Sequence, residues 1–439
     1  MTDQTTAAPA ATRAMTGGGF YRLVWKWHFL AALFVLPFMF ILSISGGLYL
    51  YKPQIEEALY ADRLNVEITG EALPYATQID AVRNTAGLTR LRMVTDPQNP
   101  TRATLIEFED SEKVRSYAWV NPYTAEVLAI TPRDQTFMRI VRNFHGELLG
   151  GAFGTKFVEL AAHWAIVMMI TGVYLWWPRG KRSLSDAVSL PKSTGRAWWR
   201  ETHMFTGMLA AVLITPLLLT GLPWTDVWGG GLNYVQKQTG QKSHSLRFGG
   251  RMPKSTTAEG TALEIETLVA LAQAEGLVGP YEIKPPRKAD GAFWMRSGST
   301  NRAEQTELVV DQYSGDVLKR IDFENNSIVA KLVSWGISLH QGELFGPLNL
   351  ALNTLAAGLG VLLSVSGFVA WWKRRPAGQL GVPVAPEAAL SWGMIALVVV
   401  MALLLPLMGA TLILALLLDW LLFKRLGWFR SGSTLQPAE

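Results

Sequence analysis

The chain contains no cysteine, and this absence excludes several kinds of site. Disulfides, iron–sulfur clusters, thioether-attached haem and cysteine nucleophiles all require a thiol. Charged residues are also scarce, at 17% of the 439 residues, whereas soluble domains carry about 25%. The sequence has no phosphate-binding glycine loop, no dinucleotide fingerprint and no hydrolase triad. A redox metal in this chain must therefore be held by histidine, methionine, carboxylate or tyrosine.

Hydrophobic residues are abundant, at 49% of the chain. Apolar runs of about 20 residues, long enough to cross a bilayer, occupy 29–50, 155–177, 204–223 and 348–372. A further stretch, 388–423, is too long for one crossing, slightly short for two, and interrupted by "PLMG". We therefore predict a membrane α-helical bundle of about six transmembrane helices, or alternatively five.

The positive charges indicate how the spans are oriented. The net charge is +5, and lysines and arginines cluster beside the apolar runs, at Arg22 and Lys26, in 179–202 and at 373–375. Basic residues in short loops mark the cytoplasmic side. Both termini are predicted to be cytoplasmic if the last stretch is a hairpin. The membrane explains this charge, so no nucleic-acid partner is expected.

The order apolar span, polar segment, apolar span occurs twice along the sequence. Residues 161–177, "AAHWAIVMMITGVYLWW", align without gaps to 356–372, "AAGLGVLLSVSGFVAWW". His28 precedes Gly46 by 18 residues, and His203 has a glycine at the same spacing. We predict a tandem duplication, which in membrane proteins commonly builds a pseudo-two-fold bundle with a site between the halves.

The two polar segments are predicted to be small extracytoplasmic α+β domains. Each has a helix, at about 75–88 and about 261–277, followed by alternating strands. The phrases "VNPYTAEVL" and "VDQYSGDVL" predict the same strand–turn–strand, because Asn or Asp with a small residue favours the reversal. The predicted segments are: disordered tail 1–19; spans 20–51, 146–178, 203–223 and 341–372; outer domains 52–145 and 224–340; cytoplasmic loops 179–202 and 373–387; hairpin or single long helix 388–423; and basic tail 424–439.

Four of the six histidines fall at equivalent repeat positions. His28 and His203 lie at the cytoplasmic starts of spans one and three, and His145 and His340 lie at the outer starts of spans two and four. A pseudo-two-fold axis would bring the members of each pair towards each other. Two imidazoles from facing helices are the ligands that a b-type haem needs. The pairs predict haem b, one or two per chain, although a single histidine at a helix end can also be an interfacial residue.

His163 lies inside a span and has no histidine counterpart, because Gly358 occupies the equivalent position. An ionisable residue in a span is a functional candidate. Glu159 lies four residues earlier on the same helical face and could orient the imidazole. Alternatively His163 replaces His145 or His340 as a haem ligand, or it is a core histidine with satisfied hydrogen bonds.

Two glutamates accompany the outer histidines, Glu147 in "HGEL" and Glu343 in "HQGEL". They could select the imidazole tautomer, relay protons or touch substrate iron. The simpler interpretation is an acidic residue that complements the dipole at a helix N-terminus.

These motifs resemble the PepSY-associated transmembrane proteins of bacterial inner membranes. The resemblance covers about 20–376 and rests on "RLVWKWHFLAALFVLPFMFILSISGGLYLY", "FHGELLGG", "LHQGELFG", "TGVYLWWPR" and the two turn phrases. It implies two periplasmic PepSY-like domains and, in the siderophore-reductase-like branch, haem in the bundle. The family's histidine positions fall on His28, His203, His145 and His340, whereas His163 stands where a small residue is expected.

The resulting hypothesis is an inner-membrane haem b reductase. It would take electrons from a quinol or a cytoplasmic flavoprotein and pass them to a ferric siderophore in the periplasm, releasing Fe(II). One alternative is a non-enzymatic membrane-anchored PepSY protein that binds peptides or a protease. The other is an iron or siderophore permease component, which the scarcity of intramembrane ionisable residues disfavours.

Overall fold

The computed structural model describes residues 17–180, 183–246, 252–255, 260–384 and 391–421. The predicted N-terminal tail up to residue 16 and the predicted basic tail 424–439 lie outside these ranges. The helices are α1 (Gly17–Leu50), α2 (Lys52–Leu64), α3 (Tyr75–Ala86), α4 (Phe137–Glu147), α5 (Gly151–Trp176), α6 (Leu184–Ala187), α7 (Gly195–Gly221), α8 (Val227–Gln238), α9 (Ile265–Ala274), α10 (Ile328–His340), α11 (Pro347–Trp372), α12 (Trp392–Leu404) and α13 (Pro406–Asp419). The strands are β1 (Arg90–Asp96), β2 (Thr104–Glu109), β3 (Arg115–Val120), β4 (Val127–Pro132), β5 (Tyr281–Lys284), β6 (Ala292–Ser297), β7 (Thr306–Asp311) and β8 (Val317–Asp322).

Four helices, α1, α5, α7 and α11, are long and apolar enough to cross a membrane. They agree with the four predicted main spans but differ at their ends. Helix α7 begins at Gly195, eight residues before the predicted start, because the polar residues ahead of the apolar run continue the helix. His203 therefore lies about two turns inside α7 rather than at its first residue.

The C-terminal apolar stretch forms two short helices, α12 and α13. The backbone leaves the helical conformation at Leu405 (φ −125°, ψ 73°), just before Pro406, which has no N–H to continue the hydrogen-bond ladder. A Cβ on Gly409 would lie 2.8 Å from the Cβ of Ala402, so the two helices fold back against each other. At 13 and 14 residues, each is about 20 Å long, shorter than the roughly 30 Å hydrocarbon layer. How many crossings this hairpin makes stays a prediction.

The chain divides into two compact units. One unit takes its described residues from Met1–Ser43, Ala152–Gly230 and Gly358–Glu439, and it consists of helices. The other takes residues from Ile44–Gly151 and Gly231–Ala357 and contains the β-sheet.

The strands of both predicted α+β domains join in a single eight-stranded antiparallel sheet. Its order is β4-β3-β2-β1-β5-β6-β7-β8. The central pairing between β1 and β5, for example Val94 opposite Ile283, links strands that are almost 190 residues apart in sequence. Helices α3 and α9 cover one face, where their apolar side chains and those of the strands form the core. The sequence predicted two small domains, and this pairing unites their sheets.

The predicted local elements are confirmed inside this sheet unit. Helix α3 agrees with the helix predicted at 75–88 and ends at Gly87, whose left-handed backbone (φ 62°) suits a residue without a Cβ. Helix α9 is shorter than the predicted 261–277. Both turn phrases connect antiparallel strand pairs, β3 with β4 and β7 with β8.

Candidate functional site

The helical unit holds His28 by a hydrogen bond from α1 to α5. His28 Nδ1 lies 2.9 Å from Thr171 Oγ1. The Thr171 hydroxyl also lies 2.9 Å from the Val167 carbonyl oxygen. With its hydrogen donated there, it would accept from a His28 ring that is protonated on Nδ1, which would leave the lone pair on Nε2, the nitrogen suited to bind a metal.

His203 is held in a parallel way by α7 and α11. Its Nδ1 lies 3.1 Å from the Leu363 carbonyl oxygen. Because a carbonyl can only accept, Nδ1 carries the proton and Nε2 again carries the lone pair. His28 and His203 are close enough to interact electrostatically, and their sharing of one haem stays a prediction.

A glycine faces each of these two imidazoles. A Cβ on Gly172 would lie 3.4 Å from His28 Cε1, and a Cβ on Gly367 would lie 2.9 Å from His203 Cε1. The two glycines occupy equivalent positions in the predicted repeat. The absence of a side chain lets the backbones of α5 and α11 approach the rings closely.

The sheet-containing unit brings His145 and His340 together. The ring centroids are 6.3 Å apart and the ring planes are inclined by 69°. Ser45 Oγ lies 3.0 Å from His145 Nδ1, and a Cβ on Gly46 would lie 2.9 Å from His145 Cε1. The structure therefore forms the second predicted pair as well, with the ring of His145 packed against α1.

Both outer histidines lie at the ends of short helices rather than on the spans themselves. His145 lies in the last turn of α4, and His340 is the last residue of α10. After α4 the chain passes through left-handed backbone at Leu148 (φ 48°), Leu149 (φ 60°) and Gly151 (φ 55°). This break separates the histidine's helix from α5.

Two asparagines of α11 fix the end of α10. Asn353 Nδ2 donates to the carbonyls of Leu339 (2.7 Å) and His340 (3.2 Å). Asn349 Nδ2 also donates to Leu339, at 3.1 Å. These side chains satisfy carbonyls that a helix end leaves without partners, so they hold the backbone that carries His340.

The helix N-terminal interpretation of Glu147 and Glu343 is wrong. Glu147 is the last residue of α4, because the chain breaks immediately after it, and its Oε1 lies 3.9 Å from Arg142 Nη1. Glu343 lies in the loop between α10 and α11, where its backbone N–H donates to the Ser338 carbonyl at 2.8 Å. A role for either carboxylate in selecting a tautomer or relaying protons stays a prediction.

His163 and Glu159 form a separate, fully buried pair on α5. Both side chains have 0% exposure, and His163 Nε2 lies 3.8 Å from Glu159 Oε1. The carboxylate accepts hydrogen bonds from the backbone N–H groups of Val227 (3.0 Å) and Trp228 (2.8 Å) at the start of α8. Among the described residues, none forms a hydrogen bond with either ring nitrogen of His163. Glu159 thus connects α5 to α8, and the prediction that it orients His163 stays open.

The profile of the PepSY-associated TM region family, PepSY_TM, matches residues 25–374. The chain belongs to this family. The match includes both histidine pairs, the whole sheet, helices α5, α7 and α11, and α1 from residue 25 onward. No curated protein matched the chain. Membership confirms the family resemblance and a multi-pass membrane protein, while the siderophore-reductase-like branch stays a prediction.

Sequence reasoning missed several residues of this PepSY-associated protein that hold the histidines. Thr171 and the Leu363 carbonyl carry no motif, so the sequence had no signal for them. A signal did exist for Gly172 and Gly367, which align in the repeat. Polar residues in an apolar run also gave a signal, because Asn349 and Asn353 are one turn apart in "PLNLALNTL".

We expect Glu159→Ala to lower the stability of the helical unit. The substitution removes the acceptor for two N–H groups, and an unsatisfied buried donor costs about 1–3 kcal/mol. Thermal unfolding of the detergent-solubilised protein should show a lower midpoint for Glu159→Ala and a smaller decrease for Glu159→Gln, which keeps one carbonyl acceptor. Glu324→Ala, at a side chain that is 75% exposed, is the control. Equal midpoints for Glu159→Ala and Glu324→Ala would contradict the role of this contact.

Proposed function

We propose that this chain is a haem b reductase of the bacterial inner membrane. It passes electrons across the membrane to a ferric siderophore in the periplasm and thereby releases Fe(II). A quinol or a cytoplasmic flavoprotein supplies the electrons. The observation that carries the proposal is the His145–His340 pair, whose ring centroids are 6.3 Å apart.

This separation suits two imidazoles bound to one iron. An imidazole nitrogen binds a transition metal at about 2 Å, and the ring centre lies about 1 Å beyond that nitrogen. Two imidazoles that shared one iron would therefore have ring centres about 6 Å apart. With His145 Nδ1 engaged by Ser45, Nε2 is the nitrogen that would bind the iron.

The inner pair, His28 and His203, has the donor chemistry for a second haem. The His203 Nδ1–H donates to the Leu363 carbonyl, which fixes the tautomer and makes Nε2 a stronger ligand. His28 Nδ1 lies within hydrogen-bond distance of the Thr171 hydroxyl, so its Nε2 is likewise the nitrogen that would bind a metal. Within the described ranges, no group of three or more His, Cys, Asp or Glu side chains could hold a metal ion. Haem iron needs only axial ligands from the protein, since the porphyrin supplies the others.

The proposed reaction is a one-electron reduction, which is the chemistry that haem held by paired histidines would supply. Bound haem supplies one-electron transfer, while the protein controls its potential through ligands, hydrogen bonds and burial. Hard oxygen donors of the siderophore type hold Fe(III) more tightly than Fe(II), so one-electron reduction weakens the chelate.

The test is the visible spectrum of the full chain, purified in detergent from cells supplied with haem. We expect a Soret band that sharpens on dithionite reduction and one or two haems per chain in a pyridine haemochrome assay. The reduced protein should reduce an Fe(III) chelate, with Fe(II) detected by a ferrous indicator. Colourless protein would reject the reductase and favour a peptide-binding or protease-binding role. Haem-containing protein without chelate reduction would reject the proposed substrate.

A further inference from the structure

The sheet face opposite α3 and α9 carries a concentration of positive charge. Side chains alternate between the two faces of a strand. In β2, Ile106 and Phe108 lie in the core, so Glu107 and Glu109 belong to the opposite face. Across the neighbouring strands, this region holds five cations that we call the cationic cluster: Arg90, Arg92, Arg115, Lys284 and Arg287.

The cationic cluster has more positive than negative charge. Glu109 is shared by two arginines, Arg90 and Arg92, each at 3.3 Å. Glu107 pairs with Arg115 and also lies 3.8 Å from Arg133. Two negative charges, those of Glu107 and Glu109, thus face the positive charges of four arginines.

Lys284 and Arg287 add charge that these glutamates do not balance. Within the described ranges, neither forms an ion pair with a carboxylate, and both are exposed. Lys284 Nζ lies 5.7 Å from the ring centroid of Trp294, a cation–π contact that leaves the positive charge in place.

The cations act on one another. Lys284 is exposed but loses part of its hydration where it packs beside the sheet; this partial desolvation lowers its pKa, and the nearby positive charges of Arg287, Arg92, Arg115 and Arg90 lower it further. This repulsion costs free energy in the unliganded protein, and a bound anion would relieve it.

Other parts of the chain lie on this face at both sides of the cationic cluster. On one side the ring of Tyr60, in α2, packs 6.2 Å from that of Trp119 in β3. On the other, Ser245 Oγ and the backbone N–H of Leu246 both donate to Glu307 in β7. The cluster lies between these flanking segments, a position better suited to a small molecule than to a planar bilayer.

We propose that the cationic cluster is the docking site for a metal chelate that carries net negative charge through carboxylate or catecholate donors. This assignment rests on the proposed function, since it specifies the charge class of the ferric substrate. Guanidinium groups bind carboxylates in a bidentate manner, and excess positive charge raises the association rate of an anionic ligand. A chelate with net positive charge would be repelled.

Ga(III) chelates test the binding without any electron transfer, because Ga(III) resembles Fe(III) and is not reduced under these conditions. We would measure the affinity of the full chain in zwitterionic nanodiscs for anionic Ga(III)–citrate by calorimetry. Lys284→Glu should weaken it about tenfold. Lys237→Glu, the same substitution at an exposed residue of α8, should leave it unchanged. A Ga(III) trihydroxamate with net positive charge should bind more weakly than the citrate chelate.

Each outcome decides the proposal. Equal affinities in the Lys284→Glu and Lys237→Glu variants, or tighter binding of the cationic chelate, would overturn it. If anionic lipid in the nanodisc weakens chelate binding by the unmodified chain but not by Lys284→Glu, the cluster binds lipid headgroups instead. Haem-free protein that still binds Ga(III)–citrate would retain this site while rejecting the reductase. Haem-containing protein that reduces Fe(III) chelates but fails these binding tests would retain the reductase and reject the cationic cluster as the docking site.

Discussion

Alanine at His145, at His340 or at both is expected to remove the same amount of haem from the purified protein. Each imidazole is proposed to bind one face of the same iron, so losing either opens the same site. If two haems are bound, each variant should keep about one. The double variant should lose no more than either single variant, since residues that act as a unit are not additive.

The rate of Fe(III)-chelate reduction should fall when the outer haem, the one proposed to be bound by His145 and His340, is lost. Loss of a residue that only supports a metal ligand typically costs about 10–100-fold in affinity or activity, so loss of the ligand itself should cost at least as much. The measurements are haem content by pyridine haemochrome and the rate of Fe(II) production by dithionite-reduced protein.

His244→Ala is the matched control for these variants. His244 is exposed, lies in the second predicted outer domain and has no counterpart in the repeat. Its alanine variant should keep all haem and full activity. Additive losses in the His145 and His340 variants, or an equal loss in His244→Ala, would mean that the two imidazoles do not share an iron.

The second large effect is expected for Gly367→Val, which should remove haem from the inner pair alone. A Cβ at this position would lie 2.9 Å from Cε1 and 3.0 Å from Nδ1 of His203, closer than packed atoms allow. The ring must move, and it then loses its hydrogen bond to the Leu363 carbonyl. Haem content should fall by about one per chain, and reduction driven by a quinol or flavoprotein should fall with it.

Gly358→Val provides the control on the same helix. A Cβ on Gly358 would meet nothing within 4 Å, while the helix-propensity cost of valine is the same at both positions. Dithionite can reduce the outer haem directly, so the Gly367→Val variant should still reduce a ferric chelate under dithionite. Equal haem content in the two valine variants would show that the ring of His203 does not need this close approach.

Local structure followed closely from the sequence. The apolar runs predicted the four long helices, because a segment in lipid must satisfy its backbone hydrogen bonds internally. The turn phrases predicted their hairpins, because Asn, Asp and Gly favour the required backbone conformations. His28 and His203, which the repeat spacing predicted to face each other, are close enough to interact electrostatically.

Other features depend on contacts between distant segments, which no local pattern encodes. The β1–β5 pairing is one, because any exposed strand edge offers the same N–H and C=O groups. Glu159 is another, since its sequence spacing pointed to His163 but gave no sign that its carboxylate also accepts hydrogen bonds at the start of α8. The N-terminal interpretation of Glu147 failed because the chain breaks after this residue rather than before it.

By itself, the sequence determined that this is a multi-pass membrane protein and predicted paired histidines, since hydrophobic length and repeat spacing are properties of the linear chain. Only the tertiary structure decided which atoms contact the imidazoles of His28, His145 and His203 and which face of the sheet carries the cationic cluster. The physical reason is that hydrogen bonds act over about 3 Å. Their partners depend on which backbones pack closely, and in this protein glycines at the helix contacts allow that approach.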